Sequence, residues 1–294
     1  MYLNDLSTVF VNSKYHFFAD DTVLYISGEN LYTTLSDMNK ELANISKLLA
    51  VNKLKLNVNK TKCMLIEKKK INEFWKVNKF GIIIDKAEIE LVDKIKYLGV
   101  IMDHELKFKD HCDYICKKIS KKIGVMGRLN KVLTTYAMKV VYNTIVLPHY
   151  NYCATLLYLF NDTDIHRLQV LQNKGMRIVL KCNKYTRVAD MLRLLQWLNV
   201  KQFAEFCTLL FIHKIKLKMM PSYYGNMLQQ CDSIHKYNTR DKENYYVQTR
   251  CKDIAYNSIF VKGVIKYNML ENKVKNVTSI EVFKKYLKAA FINR

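Results

Sequence analysis

The chain has 294 residues, of which 50% are hydrophobic and 25% are charged, and this balance excludes an intrinsically disordered protein. Lysine and arginine together number 48 against 26 acidic residues, and the net charge of +22 favours a polyanionic partner such as nucleic acid. A codon bias towards lysine, asparagine and tyrosine would give the same basic surface without any nucleic-acid function. Eight glycines and two prolines are few for this length, so we expect helix to dominate.

The eight cysteines are scattered, without a C-x₂-C pair, which predicts reduced thiols in an intracellular protein, nuclear or cytoplasmic. Cys112 and Cys116 lie four residues apart beside His111, but no second ligand pair follows at the spacing of a zinc finger. The first residues do not form a signal peptide, and no uninterrupted apolar run reaches membrane-spanning length. We therefore expect no membrane partner and no secretion.

The first predicted elements are two strands joined by a tight turn within residues 16–26. Aromatic and β-branched residues flank Asp20 and Asp21, which places both carboxylates at the tip of the turn. Mg²⁺ takes oxygen ligands of this kind, with Mn²⁺ as an alternative, and a metal pair can activate a 3′-hydroxyl and stabilise a leaving pyrophosphate. The competing interpretation is a solvated turn, because aspartate is common in turns.

An amphipathic helix is predicted next, since apolar residues recur at three- and four-residue spacing between Leu31 and Leu49. Several short strands then follow, and Gly99 in the last of them indicates a close approach of two backbones. These strands are predicted at residues 63–66, 80–84, 89–92 and 97–102.

The apolar period becomes helical from about residue 108. Four lysines lie largely off the apolar face of the first helix, and a later helix carries Arg177. These basic side chains suit contacts with the phosphates of nucleic acid, whereas the alternative is a solvated lysine face. The four lysines are Lys117, Lys118, Lys121 and Lys122. The further helices are predicted at 134–147, 164–181, 187–195 and 200–218, with a last one capped by Ser279.

Three motifs follow one another in a recognisable order: Phe18-Ala19-Asp20-Asp21, then Leu56-Asn57-Val58-Asn59-Lys60-Thr61-Lys62, then Tyr97-Leu98-Gly99-Val100. This order resembles the C-terminal part of a non-LTR retrotransposon (LINE-type, jockey-like) reverse transcriptase. The matching parts of that family are its catalytic motif, its Leu-Asn-x-x-Lys-Thr strand and its primer-grip strand. Weaker likenesses lie at residues 2–6, 147–152, 171–177, 237–240 and 283–288.

The resemblance implies an α+β fold, in which a partial palm of antiparallel sheet and helix precedes an all-helical thumb and C-terminal region. It divides the chain into a palm remnant at 1–105, a thumb-like region at 106–218 and a C-terminal helical region at 219–294. The implied activity is RNA-directed DNA polymerisation, with an RNA template, a DNA primer and deoxynucleoside triphosphates as partners.

The resemblance also implies roles for individual residues. The catalytic, metal-binding carboxylates would be those of Asp20 and Asp21, and Lys60 would lie near the incoming triphosphate. The remaining positions would contact the primer: Phe18 and Ala19 near its terminus, and Tyr97, Leu98 and Gly99 along its strand.

One departure from the family concerns the metal site. Such a polymerase needs another metal-binding aspartate on a strand well before the Asp-Asp hairpin, and only 19 residues precede Asp20. We therefore expect this chain to correspond to part of a longer element and to be inactive alone. Two alternatives stay open: a non-enzymatic basic RNA- or DNA-binding remnant, and a purely structural remnant.

Overall fold

The computed structural model describes residue 5 and residues 9–66, 81–85, 87–231, 244–247 and 258–292. The chain divides into two compact units, Met1–Leu106 and Lys107–Arg294. The first unit contains the strands and one long helix, and the second is helical apart from an isolated bridge between Gln230 and Tyr245. The α+β class is confirmed, whereas the division into palm, thumb and C-terminal regions stays a prediction. The weak likeness at 237–240, most of that at 2–6, and residue 80 of a predicted strand lie outside the described residues.

The strands of the first unit are short and form four separate pairs among the residues described. The pairs β1–β2, β4–β5 and β7–β8 are antiparallel, and β3–β6 is parallel. The pairing is mainly antiparallel, as predicted, but these pairs do not join into one palm sheet, because four of the strands are only two residues long and offer little edge. The strands are β1 (Lys14–Phe18), β2 (Asp21–Tyr25), β3 (Lys62–Cys63), β4 (Ile83–Ile84), β5 (Ala87–Glu88), β6 (Glu90–Leu91), β7 (Lys94–Tyr97) and β8 (Val100–Asp103).

Helix α1 (Leu31–Val51) organises the core of the first unit and confirms the predicted amphipathic helix. The Asn30 side chain caps its start by accepting a hydrogen bond from the backbone N–H of Tyr32 at 2.9 Å. The apolar face of α1 packs against isoleucines of the β4–β5 region. The buried members of this core are Leu35, Leu42, Ile45, Leu49, Ile82, Ile84 and Ile89.

The second unit is built from helices whose positions agree with the predicted periodicity. The exception is the predicted helix at 134–147, which a π-helical turn at Tyr142–Val146 interrupts. The hydroxyl of Thr144 bonds to the carbonyls of Val140 and Val141 at this turn, and such local bonds compete with the α-helical ladder. The helices are α2 (Lys109–Leu129), α3 (Thr135–Val141), α4 (Leu147–Asn151), α5 (Asp162–Leu180), α6 (Val188–Leu195), α7 (Val200–Lys216), α8 (Ser222–Gly225), α9 (Val264–Asn268), α10 (Asn272–Lys275) and α11 (Ile280–Ile292).

Two packed regions hold the second unit together. Helix α2 packs against α5, and the buried face of α2 includes Ile115, Ile119 and Ile123. A further core joins α7, α9 and α11 and includes the buried imidazole of His213 beside Phe283. No described helix has the length and apolar character needed to cross a membrane.

Candidate metal-binding hairpin and basic surface

The sequence motif Phe18-Ala19-Asp20-Asp21 forms the tip of the β1–β2 hairpin, as predicted. Phe18 pairs with Asp21, so Ala19 and Asp20 are the two residues of the turn. Ala19 has a φ of 55°, a left-handed conformation that costs an alanine about 1–2 kcal/mol. Both carboxylates are exposed, and backbone strain of this kind is common at functional sites.

The two faces of the hairpin differ, because residues paired across an antiparallel ladder share a face. One face carries Tyr15 and its partner Leu24 and lies against the core of the first unit. Phe10 stacks on Tyr15 with ring centroids 4.3 Å apart, and Leu24 packs against the buried residues around α1. The hairpin therefore contacts the core of the first unit through this inner face.

The outer face of the hairpin carries Asp21 among aromatic side chains. His16 and Tyr25 stack with ring centroids 5.9 Å apart, and Phe18 is 61% exposed. Asp21 is paired with Phe18 and therefore shares this face. The tip thus offers two carboxylates next to exposed aromatic rings.

The two carboxylates fit part of a magnesium site. Mg²⁺ keeps several waters and is often bound by one or two carboxylates together with substrate phosphates, which matches the donors at this tip. Across the described stretches, no three histidine, cysteine or acidic side chains come together as a metal cluster. Asp20 and Asp21 would therefore hold the ion jointly with oxygen donors from outside these residues.

Lys60 lies in the turn that precedes β3, with its side chain exposed. Asn57 organises this turn: its backbone carbonyl and its side-chain oxygen accept hydrogen bonds from the N–H of Lys60 at 3.1 and 3.2 Å. The turn thus fixes the backbone of Lys60 and leaves its ammonium group in solvent. A role beside the triphosphate stays a prediction.

The second predicted primer-binding motif forms a hairpin turn, and the prediction of one strand through residues 97–102 is wrong. Tyr97 pairs with Val100, and Leu98 and Gly99 between them have φ values of 44° and 84°. Positive φ at both central residues is typical of the tight turns that join antiparallel strands. Gly99 therefore serves the turn and not a close approach of two strands.

The four predicted lysines lie together on the solvent face of α2. Lys117, Lys118, Lys121 and Lys122 are all exposed, opposite the buried isoleucines of the same helix. Within the described part of the chain, none of the four has a carboxylate at ion-pair distance. We call this group the α2 lysine face.

His149 of α4 joins the α2 lysine face, and sequence reasoning did not identify it. Burial lowers the pKa of His149, and the positive charges of Lys118 and Lys122 lower it further. The imidazole is therefore neutral at physiological pH and adds hydrogen-bonding capacity without charge. Arg177 of α5 is half-buried, and its Nε has no hydrogen-bond partner among the residues described.

Comparisons with known proteins bear on the family of the chain. The probable RNA-directed DNA polymerase from transposon X-element of Drosophila melanogaster is 26% identical over 108 residues, which is 35% of this chain and 12% of that protein. The probable RNA-directed DNA polymerase from transposon BS of the same species is 27% identical over 110 residues, 36% of this chain and 12% of the relative. The RNA-directed DNA polymerase from mobile element jockey of Drosophila funebris is 28% identical over 114 residues, which is 37% of this chain and 12% of that protein.

These matches confirm the resemblance to non-LTR retrotransposon reverse transcriptases. The matched stretch spans about an eighth of the length of these polymerases. No family model matches the chain, and no solved structure matches it. The support for a reverse-transcriptase-like origin therefore comes from the similarity in sequence.

Proposed function

We propose that this chain is a region of a retrotransposon reverse transcriptase and that the β1–β2 hairpin contributes two metal-binding carboxylates to nucleotidyl transfer. The observation that carries the proposal is the tip of the hairpin, where Asp20 and Asp21 are adjacent, exposed and set in a strained turn. The similarity to transposon RNA-directed DNA polymerases supports the same assignment.

In this proposal the residues of the chain bind and orient, and the metal supplies the charge. Bound Mg²⁺ or Mn²⁺ would lower the pKa of the primer 3′-hydroxyl and stabilise the leaving pyrophosphate. Asp20 and Asp21 hold the ion, and Phe18 and Ala19 lie beside the primer terminus. Lys60 faces the triphosphate, and the turn at Leu98 and Gly99 contacts the primer strand together with Tyr97.

The α2 lysine face would hold the template–primer duplex through its phosphates. A net charge of +22 attracts nucleic acid at long range, and exposed lysines without ion-pair partners among the described residues are available for phosphate contacts. Arg177 would extend this contact if its guanidinium reaches a phosphate. These contacts position the duplex and carry no sequence information.

We propose further that the 294-residue polypeptide alone does not extend a primer. Two carboxylates provide less stabilisation of the transferring phosphoryl group than a complete metal site, where one group can contribute several kcal/mol. The expected partner is therefore a segment that supplies a further carboxylate.

The test combines primer extension with duplex binding. The wild-type chain and the double variant Asp20→Asn/Asp21→Asn are each assayed on an RNA template and DNA primer with Mg²⁺ and with Mn²⁺. We expect both to bind the duplex equally and neither to extend it alone. When a polypeptide carrying the upstream polymerase segment is added, only the wild type should extend. Equal extension by both proteins would refute the role of the hairpin.

A second candidate function is nucleic-acid binding without catalysis, which the α2 lysine face favours. It predicts salt-sensitive duplex binding and no dependence on divalent metal, even with the upstream segment present. A chain without affinity for RNA or DNA at low salt would contradict both candidates and favour a purely structural remnant.

A further inference from the structure

The base of the hairpin is tied to helix α1 by one buried carboxylate. Glu41 lies midway along α1 and is only 3% exposed. Its Oε1 accepts hydrogen bonds from the backbone N–H groups of Val11 at 3.2 Å, of Asn12, and of Ser13 at 2.9 Å. Its Oε2 accepts a hydrogen bond from the Ser13 hydroxyl. Residues 11–13 immediately precede β1, so this contact lies where the hairpin begins.

A carboxylate suits this position better than any neutral group. An ionised carboxylate only accepts hydrogen bonds and has about four lone-pair sites, which matches the four donors that converge here. Burial raises the pKa of Glu41, but the hydrogen bonds from the Ser13 hydroxyl and from the N–H groups of Asn12, Ser13 and Val11 outweigh it, so the pKa lies below its ordinary value. Glu41 is therefore charged at neutral pH, and its hydrogen bonds are of the stronger, charge-assisted kind.

The hairpin has few other attachments among the residues described. Strands β1 and β2 pair only with each other, and the apolar contacts to the core around α1 come from Leu24 of β2 and from Val9 and Phe10, which precede the hairpin. These apolar contacts resist separation but allow sliding, because hydrophobic contact is not directional. The hydrogen bonds to Glu41 are directional, so they constrain the direction of β1 relative to the axis of α1.

We propose that Glu41 is a positioning residue for the metal-binding carboxylates of Asp20 and Asp21. Glu41 fixes the start of β1 on the rigid helix α1, and the ladder of the hairpin transmits that orientation to the tip. The proposal rests on the proposed function of the hairpin, because a turn that binds no metal needs no defined orientation.

The experiment uses the ¹⁵N-labelled 294-residue chain titrated with Mn²⁺, with paramagnetic broadening of the backbone amide signals as the readout. Broadening in the wild type is expected to centre on the turn at Ala19 and Asp20. Glu41→Ala removes the anchor at the base of the hairpin, so the tip should become more mobile and the apparent Mn²⁺ affinity should weaken by about 10-fold, the lower end of the loss seen when direct support of metal ligands is removed. Hydrogen exchange at the amides of β1 and β2 should become faster in the same variant.

Two milder variants and one control distinguish positioning from general stability. Glu41→Gln keeps an oxygen for the three N–H donors but loses the charge, so an intermediate Mn²⁺ affinity is expected. Ser13→Ala removes only the hydroxyl bond and should have the smallest effect. Leu49→Ala truncates a buried side chain of the same helix, away from residues 11–13, and should lower the melting temperature while the Mn²⁺ affinity stays unchanged.

The two proposals fail by different results. If Asp20→Asn/Asp21→Asn leaves the Mn²⁺ broadening as in the wild type, the hairpin is not the metal site and the proposed function is wrong. If the broadening depends on both aspartates but Glu41→Gln and Ser13→Ala bind Mn²⁺ like the wild type, Glu41 does not position them. The positioning role of Glu41 is equally overturned if Leu49→Ala weakens Mn²⁺ binding as much as Glu41→Ala does.

Discussion

Removing the charges of the α2 lysine face should reduce the salt dependence of duplex binding by a calculable amount. Lys117 and Lys122 are five residues apart on α2, so the face extends about 7.5 Å along the helix. Phosphates recur about every 3.4 Å along each strand, so the face covers about two phosphates on one strand or four across both. Each neutralised phosphate contributes about 0.9 to the slope of log affinity against log salt. The slope should therefore fall by about 2–4.

The assay is fluorescence anisotropy of a labelled RNA–DNA hybrid at salt concentrations between about 50 and 200 mM. The variant replaces all four lysines of the face with glutamine, which preserves helix propensity and removes four charges. The control makes the same replacement at four exposed lysines elsewhere. A slope that is unchanged in the variant, or reduced equally in the control, would show that net charge binds the duplex and not this face. The control lysines are Lys47, Lys55, Lys285 and Lys288.

Four further predictions concern stability. Gly175→Ala should lower the free energy of unfolding by about 1–2 kcal/mol, because a Cβ there would lie 2.5 Å from a ring carbon of the buried Tyr142 and the overpacking exceeds the gain in helix propensity. At Gly124 a Cβ would meet nothing within 4 Å, so Gly124→Ala should raise the free energy of unfolding by about 0.5–1 kcal/mol. Urea titrations measure both changes. Gly99→Ala should destabilise the first unit by about 1–2 kcal/mol, because its φ of 84° disfavours a side chain; amide exchange in β7 and β8 measures this. Burial lowers the pKa of His213, so on acidification the unfolded chain takes up the proton before the folded one does. The contribution of His213 to stability is therefore full above pH 6.5 and is lost as the pH falls below 6.5. Thermal melts of His213→Gln should show a smaller loss of stability over the same pH range.

The elements that sequence predicted well are those with a clear apolar period. The spacing from Leu31 to Leu49 predicted α1, and the aromatic residues around Asp20 and Asp21 predicted the hairpin and its tip. Both patterns are local, and both depend on side-chain chemistry alone. The basic lysines of α2 were likewise visible, because their spacing relative to the buried face follows from the helical period.

What sequence did not predict depends on the backbone. Leu98 adopts a positive φ in the β7–β8 turn, which a leucine rarely does, so the motif indicated a continuous strand. Glu41 gave no signal, because three of its hydrogen-bond donors are backbone N–H groups distant in sequence and any residue types could supply them. The resemblance implied a palm sheet, but the described strands form separate pairs, and Ile84 of the two-residue strand β4 is buried in the core around α1.

Because the hairpin is attached at its base, a small rotation there displaces its tip by a larger distance. Strand β1 has five residues and is about 17 Å long, and the bonds to Glu41 lie at its start while the carboxylates lie beyond its end. A rotation of about 3° at the base would carry the tip through about 1 Å, a displacement that can cost a catalytic site about 100-fold in rate. The proposed metal site would therefore depend on the far end of the strand, where hydrogen bonds to the single side chain of Glu41 hold the direction of β1.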